Sequence, residues 1–148
     1  MEWISASTTL ISGFPGETTR DQIETLKFIE DVKFDKLGDF TFSREEGTAA
    51  YNFKHQVRES TKKRRKDEIM TLQKKISYEK NKSHIGEVME GLVIGYDRAH
   101  KSYMLRSYWN APDDIDGAIY FSSDDPLNVG DIVKVKITNA FIYDLIGE

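Results

Sequence analysis

The sequence predicts an α/β segment and an all-β barrel joined by one long helix. Three observations carry this. Apolar residues recur at helical and buried-strand spacing over the first third of the chain, and at a period of two after Ile85. Between Gln56 and Ser83 there is neither glycine nor proline, and good helix formers dominate. Charge follows the same division: residues 1–53 hold 5 basic and 10 acidic side chains, residues 54–84 hold 11 and 4, and residues 85–148 hold 5 and 11. A basic segment therefore lies between two acidic ones, and fields act locally, so three regions with different surroundings are expected.

Thr8 to Ser12 is short, β-branched and apolar and runs into Gly13-Phe14-Pro15-Gly16, the pattern of a buried strand ending in a tight loop. A helix follows over 19–32. Thr19 and Gln22 fit a capping box, and Ile23, Leu26, Ile29 and Val32, with Phe28, form its apolar stripe. Phe34 to Ser43 reads as a second strand, ended by the polar run Arg44-Glu45-Glu46-Gly47-Thr48. A crossover helix of this length makes the two strands parallel neighbours, and parallel strands need cover on both faces. One such unit leaves two open edges and too little core to offset about 1–2 kcal/mol of backbone ordering per residue. Residues 1–53 thus look cut from a larger sheet or barrel.

The helix from Gln56 to about Ser83 carries its apolar residues (Ile69, Leu72, Ile76, with Met70) only in its later half. The polar first half predicts a connector between two bodies. Lys62-Lys63-Arg64-Arg65-Lys66 reads as a solvated helix face, or as a contact for phosphate or an acidic surface. Beyond it, Val88 to Ile94 is expected to end at a Gly95-Tyr96-Asp97 turn. Tyr103 to Leu105, Ile115 to Phe121, Asp131 to Thr138 and Ala140 to Ile146 complete five strands. That count in about 64 residues fits a small OB-like barrel, with an SH3-like barrel as the alternative.

The chain has no cysteine, which excludes a disulfide framework, a thiol nucleophile and cysteine-ligated zinc or iron–sulfur sites built from this chain alone. No apolar stretch approaches the roughly 18–20 residues of a membrane span, and Met1-Glu2-Trp3-Ile4 is not the start of a signal peptide, so a cytoplasmic protein is expected. His55, His84 and His100 are far apart and read as incidental surface residues; the acid pairs Glu45-Glu46, Asp113-Asp114 and Asp124-Asp125 read as solvated loop charges. No self-contained active site is offered. One segment does invite a ligand. Gly13 to Thr18 lies between a strand and a helix, where α/β folds place their sites, with glycines for close approach and helix-start N–H groups for polar atoms. A plain Gly-Pro turn is the simpler reading.

Several of these runs resemble a known family. Gly13-Phe14-Pro15-Gly16-Glu17-Thr18, Phe34-Asp35-Lys36-Leu37-Gly38 and Phe42-Ser43-Arg44-Glu45-Glu46-Gly47-Thr48 resemble the last part of the radical S-adenosylmethionine (TIM-like) barrel of methylthiotransferases. Arg64-Arg65, Leu72-Gln73, Ile76-Ser77 and Asn81 resemble the family's linker helix, and residues 85–148 its C-terminal TRAM domain, an OB-like barrel. The implied organisation is a barrel fragment over 1–53, a basic linker helix over 54–84 and a TRAM domain over 85–148. Glu45-Glu46-Gly47-Thr48, and Ala111-Pro112 followed by Ile115-Asp116-Gly117, resemble the branch that modifies an aspartate of a small-subunit ribosomal protein more than the branch that modifies tRNA.

The resemblance implies S-adenosylmethionine and two 4Fe-4S clusters in a complete enzyme, one cluster generating a radical and the other taking part in sulfur transfer. Gly13, Phe14, Pro15, Gly16 and Glu17 match the segment near the cofactor, in a positioning role. The Cys-x-x-x-Cys-x-x-Cys ligands are absent, so neither cluster is expected on this chain through the family's ligands, and the chain alone is expected to be inactive. The expected partner is a basic ribosomal protein docking on the acidic barrel, with a separate N-terminal half as a second candidate. The competing reading is a non-catalytic RNA-binding barrel using Tyr103, Tyr108, Trp109 and Tyr120 for stacking, against which the barrel's acidity stands.

Overall fold

A computed structural model describes residues 5–110 and 117–148, which form two compact units, one over Ala6–Ile76 and one built on Ser77–Glu148. In the first, β1 (Ser7–Ser12) and β2 (Lys36–Thr41) flank helix α1 (Thr19–Val32). The strands are parallel and in register, Thr8 beside Leu37 and Leu10 beside Asp39. A second helix, α2 (Glu59–Ser83), begins in this unit.

The expected capping box slides by one residue. Thr18 is the cap, and it exchanges hydrogen bonds with Asp21. The Thr18 N–H and then its Oγ1, both donating to Asp21 Oδ2, hold the Asp21 carboxyl below its ordinary range. Gln22 is buried instead, its amide donating to the Arg65 carbonyl at 3.1 Å. An amide used in this way is not free to reach back to the helix start.

One face of the β1/β2 pair is covered. Leu37 and Ile29 meet Ile69 and Ile76 of α2, with Leu10, Leu26 and Phe34 around them. The other face is bare: Ile11 and Phe40, partners in the register, are 59% and 62% exposed. A two-stranded parallel sheet with one naked face has few means of stabilising itself.

Helix α2 runs from the first unit into the second, and the solvated reading of its basic run needs correcting at Lys62 and Arg65. Its first half packs on the α/β unit, because Lys62, Arg65, Ile69, Gln73 and Ile76 are all buried at intervals of three and four. The stripe is helical and continuous. Its first two members are cations, so apolar spacing alone does not mark it.

The second unit is a closed five-stranded barrel. Its strands are β3 (Val88–Asp97), β4 (Ser102–Arg106), β5 (Ile119–Phe121), β6 (Ile132–Ala140) and β7 (Leu145–Gly147), in the spatial order β3-β4-β5-β7-β6. β5 and β7 run parallel, and every other pair is antiparallel. Met89, Val93, Leu105, Trp109, Ile119, Phe121, Val135, Ile137 and Leu145 fill the interior.

The expected turn at Gly95 is not there. A bulge between Val93 and Gly95 carries β3 on to Asp97, and the reversal comes at the next four residues, with Lys101 at φ 51°. Likewise β6 takes Ala140, and the last strand is only Leu145–Gly147. Ala111-Pro112, Asp113-Asp114 and Ile115-Asp116, which carry the expected start of a strand and part of the resemblance, lie outside the described residues.

Candidate functional site

The segment singled out by its glycines stands at the C-terminal end of β1. Gly13 and Gly16 take φ of 80° and 91°, values that favour glycine, so the chain turns back sharply before entering α1. Four backbone donors of this loop are already used. Gly13 N–H donates to Glu17 Oε2 (3.1 Å), Gly16 N–H to the His55 carbonyl (2.9 Å), Glu17 N–H to the Phe14 carbonyl (2.9 Å) and Thr18 N–H to Asp21 (2.8 Å). These four N–H groups are engaged in the loop's own shape. What it offers outward is the Phe14 ring, 44% exposed, leaning edge-on against Phe42 (5.2 Å) and Phe53 (6.0 Å).

The neighbouring turn is equally self-contained. Thr48 Oγ1 donates to the Glu45 carbonyl, Ser43 pairs with the Glu45 carboxylate, and Arg44 lies over the Tyr51 ring while its Nε donates to the Tyr51 carbonyl. Glu45 and Glu46 are exposed, as are Asp124 and Asp125.

Behind the loop lies a buried polar group that the sequence did not advertise. Asp39 is 4% exposed; its Oδ2 accepts from Ser12 Oγ at 2.6 Å, while Oδ1 has no partner among the described residues. Burial holds the Asp39 carboxyl above its ordinary value of 3.8, the Ser12 hydrogen bond pulling the other way. The folded state thus binds this proton more tightly than the unfolded chain does. The resulting stabilisation is full below about pH 4 and is lost as pH rises through the folded-state value. Asp39→Asn keeps an acceptor for Ser12 and removes the buried charge. It is expected to raise stability at pH 7 by about 1 kcal/mol and to flatten the fall in stability above about pH 4, measured by urea unfolding at both pH values; a destabilised variant at pH 7 would contradict this.

The histidines are less incidental than their spacing implied. His84 is buried and its Nδ1 meets Glu87 at 2.8 Å, and the His55 carbonyl anchors Gly16. His100 pairs with Asp97 at 2.7 Å, and this bond, with two backbone N–H donors, holds the Asp97 carboxyl below its usual range. The aromatics proposed for base stacking divide. Trp109 is in the barrel core, and Tyr103 packs against that core, its hydroxyl accepting from Leu127 N–H. Tyr120 lies under the His100 ring, and Tyr108 is exposed.

The clusters that the resemblance implies do not fit this chain: it has no cysteine, and among the described residues no three His, Asp or Glu side chains converge as metal ligands. The loop presents an aromatic ring, Phe14, and an added Cβ at Gly16 or Gly38 would meet nothing within 4 Å, so the backbone at both is open to solvent. Among the described residues no helix is long and apolar enough to cross a membrane.

Residues 85–148 match the TRAM domain family. Over 147 residues, 99% of its length, the chain is 46% identical to a protein of Clostridium botulinum (strain Langeland) named ribosomal protein uS12 methylthiotransferase RimO. It is 48% identical to the protein of that name from Acetivibrio thermocellus and 44% identical to that from Thermoanaerobacter sp. (strain X514), over 95% of the chain in each case. The chain spans about a third of the length of these curated relatives, 32%, 31% and 32% respectively.

Proposed function

We infer that this chain, a TRAM-domain part of a RimO-type methylthiotransferase, contributes a cofactor-side loop and a substrate-docking barrel to an enzyme that adds a methylthio group to an aspartate of ribosomal protein uS12. The observation that carries this is identity of 46% spread over 99% of the chain, so that the α/β unit and the barrel match together. In this reading the α/β unit is the closing part of a radical S-adenosylmethionine barrel and residues 85–148 are its OB-like TRAM domain. S-adenosylmethionine, when bound, supplies the radical chemistry. This chain's own part is to shape one wall: Gly13 to Glu17 fix the backbone, and Phe14 sets an apolar surface against which a ligand can be oriented. The clusters belong to a polypeptide segment that carries cysteines, which is the partner this reading requires.

Substrate choice follows from charge. With 11 acidic and 5 basic side chains, residues 85–148 repel nucleic-acid phosphates and favour a basic protein. The RNA-binding alternative loses two of its stacking candidates, since Trp109 and Tyr103 are used in and against the core. Titration of the chain with uS12 and with tRNA at two salt concentrations tests the reading. Binding of uS12 that weakens with salt, without comparable binding of tRNA, is expected; tight tRNA binding with a steep salt slope would overturn it.

A further inference from the structure

We propose that Lys62 and Arg65 are positioning residues for the Gly13–Glu17 loop: α2 grips the loop from below with two buried cations and so sets where Phe14 stands. Its relevance to catalysis rests on the reading that this loop lies on the cofactor side.

The five consecutive cations of residues 62–66 are not equivalent. Lys63 and Arg64 are exposed, whereas Lys62 and Arg65, three apart on one face, are 2% and 5% exposed. The Lys62 stem passes directly beneath Gly13, where an added Cβ would stand 2.3 Å from Lys62 Cγ. Its ammonium donates to the Phe42 carbonyl (3.0 Å) and to Glu59 (2.6 Å) and lies 5.3 Å from the Phe42 ring centroid. Phe42 is the ring on which Phe14 leans. Lys62 thus touches the start of the loop with its stem and braces the aromatic support with its head.

Arg65 holds the other end. Its Nη1 donates to the Glu17 carbonyl (3.1 Å) and to Glu17 Oε1 (2.6 Å), while Glu17 Oε2 accepts from Gly13 N–H (3.1 Å). One carboxylate therefore ties the first and last residues of the loop together, and Arg65 holds that carboxylate. Arg65 Nε is buried without a partner among the described residues. Burying cations in this way is a poor means of gaining stability, since apolar residues of similar volume commonly serve as well or better. What the cations supply that apolar residues lack is direction: each fixes a particular carbonyl or carboxylate of the loop and its surroundings.

The test compares Lys62→Met, Arg65→Met and Arg65→Lys with the parent chain, with Glu17→Gln breaking the same tie from the loop side should a helix variant fail to fold. Amide exchange of Phe14, Gly16 and Glu17 is measured beside urea unfolding. In the Met variants loop exchange is expected to rise about tenfold or more while exchange in the α1 core stays near the parent value, and Arg65→Lys should recover part of the protection. Unchanged loop exchange in folded Met variants, or in Glu17→Gln, would overturn the proposal. The same substitutions are then placed in a fusion that supplies the remaining length from the Clostridium botulinum relative, and S-adenosylhomocysteine affinity is measured at equilibrium. A fall of about tenfold, or about 1.4 kcal/mol, is expected. Loosened loops with undiminished affinity would leave the grip of α2 standing and overturn the placement of the loop beside the cofactor.

Discussion

Gly117→Ala is expected to remove most of the barrel's stability, about 3–5 kcal/mol. Gly117 has φ of 86°, and a Cβ there would stand 1.7 Å from the Tyr143 carbonyl oxygen, inside covalent-like distance of backbone that has no side-chain freedom to yield. Three hydrogen bonds converge beside it: Asn110 Nδ2 to the Gly117 carbonyl (3.3 Å), Ala118 N–H to Asp144 Oδ1 (2.9 Å) and Leu145 N–H to the Ala118 carbonyl (3.0 Å). Moving the Tyr143 turn away strains all three. Left-handed backbone costs an alanine about 1–2 kcal/mol, and overpacking adds about 1–3. With weakened hydrogen bonds the total reaches about 3–5 kcal/mol, most of the stability of a domain this small.

Gly130 is the natural control. Its φ is 100°, yet a Cβ there meets nothing within 4 Å, so Gly130→Ala pays the backbone term alone, about 1–2 kcal/mol. The readout is urea unfolding followed by near-UV dichroism, to which Trp109 contributes from the core beside Gly117. If the two variants lose equal stability, the close contact between Gly117 and Tyr143 is wrong.

How far such features could be read beforehand depends on the distance between the partners. Helix α1 was legible to the residue, because Ile23, Leu26 and Ile29 repeat locally and a Gly-Pro loop marks the entry. Its cap was misread by one position, since Gln22 answers to Arg65, forty-three residues away. The candidate loop was legible as a place, from Gly13 and Gly16 between strand and helix. Its internal wiring was not, because Glu17 meets Arg65 across forty-eight residues and only folding joins them. The basic run hides its burial for a physical reason: a buried lysine and arginine look like solvent-facing charge in any hydropathy pattern, and only their phase with Ile69, Gln73 and Ile76 distinguishes Lys62 and Arg65 from Lys63 and Arg64. In the barrel the period of two located the strands, while the bulge after Val93 made Gly95 look like a turn.

Amide exchange is expected to separate the two units widely, with β1 and β2 exchanging rapidly and the barrel strands strongly protected. The argument is one of edges and faces. Every barrel strand has neighbours on both sides, and its interior includes Leu105, Ile119, Ile137 and Leu145 at 0% exposure. The β1/β2 pair has one partner per strand, two open edges and a bare face where Ile11 and Phe40 meet water, while α1 exposes Ile23, Phe28 and Val32 as well. Each 1.4 kcal/mol of difference in opening free energy is a factor of about ten in exchange, and a few such units separate an incomplete sheet from a closed barrel. Differences of about a hundredfold between Leu10 or Leu37 and Leu105 or Ile137 are therefore expected. Supplying the remaining length of a relative by fusion should slow exchange at Ile11 and Phe40 selectively, because covering the bare face is the change those two residues would register. Equal, strong protection in both units of the chain alone would show instead that the α/β unit is stable without further cover, and would remove the main physical reason for regarding it as part of a larger sheet.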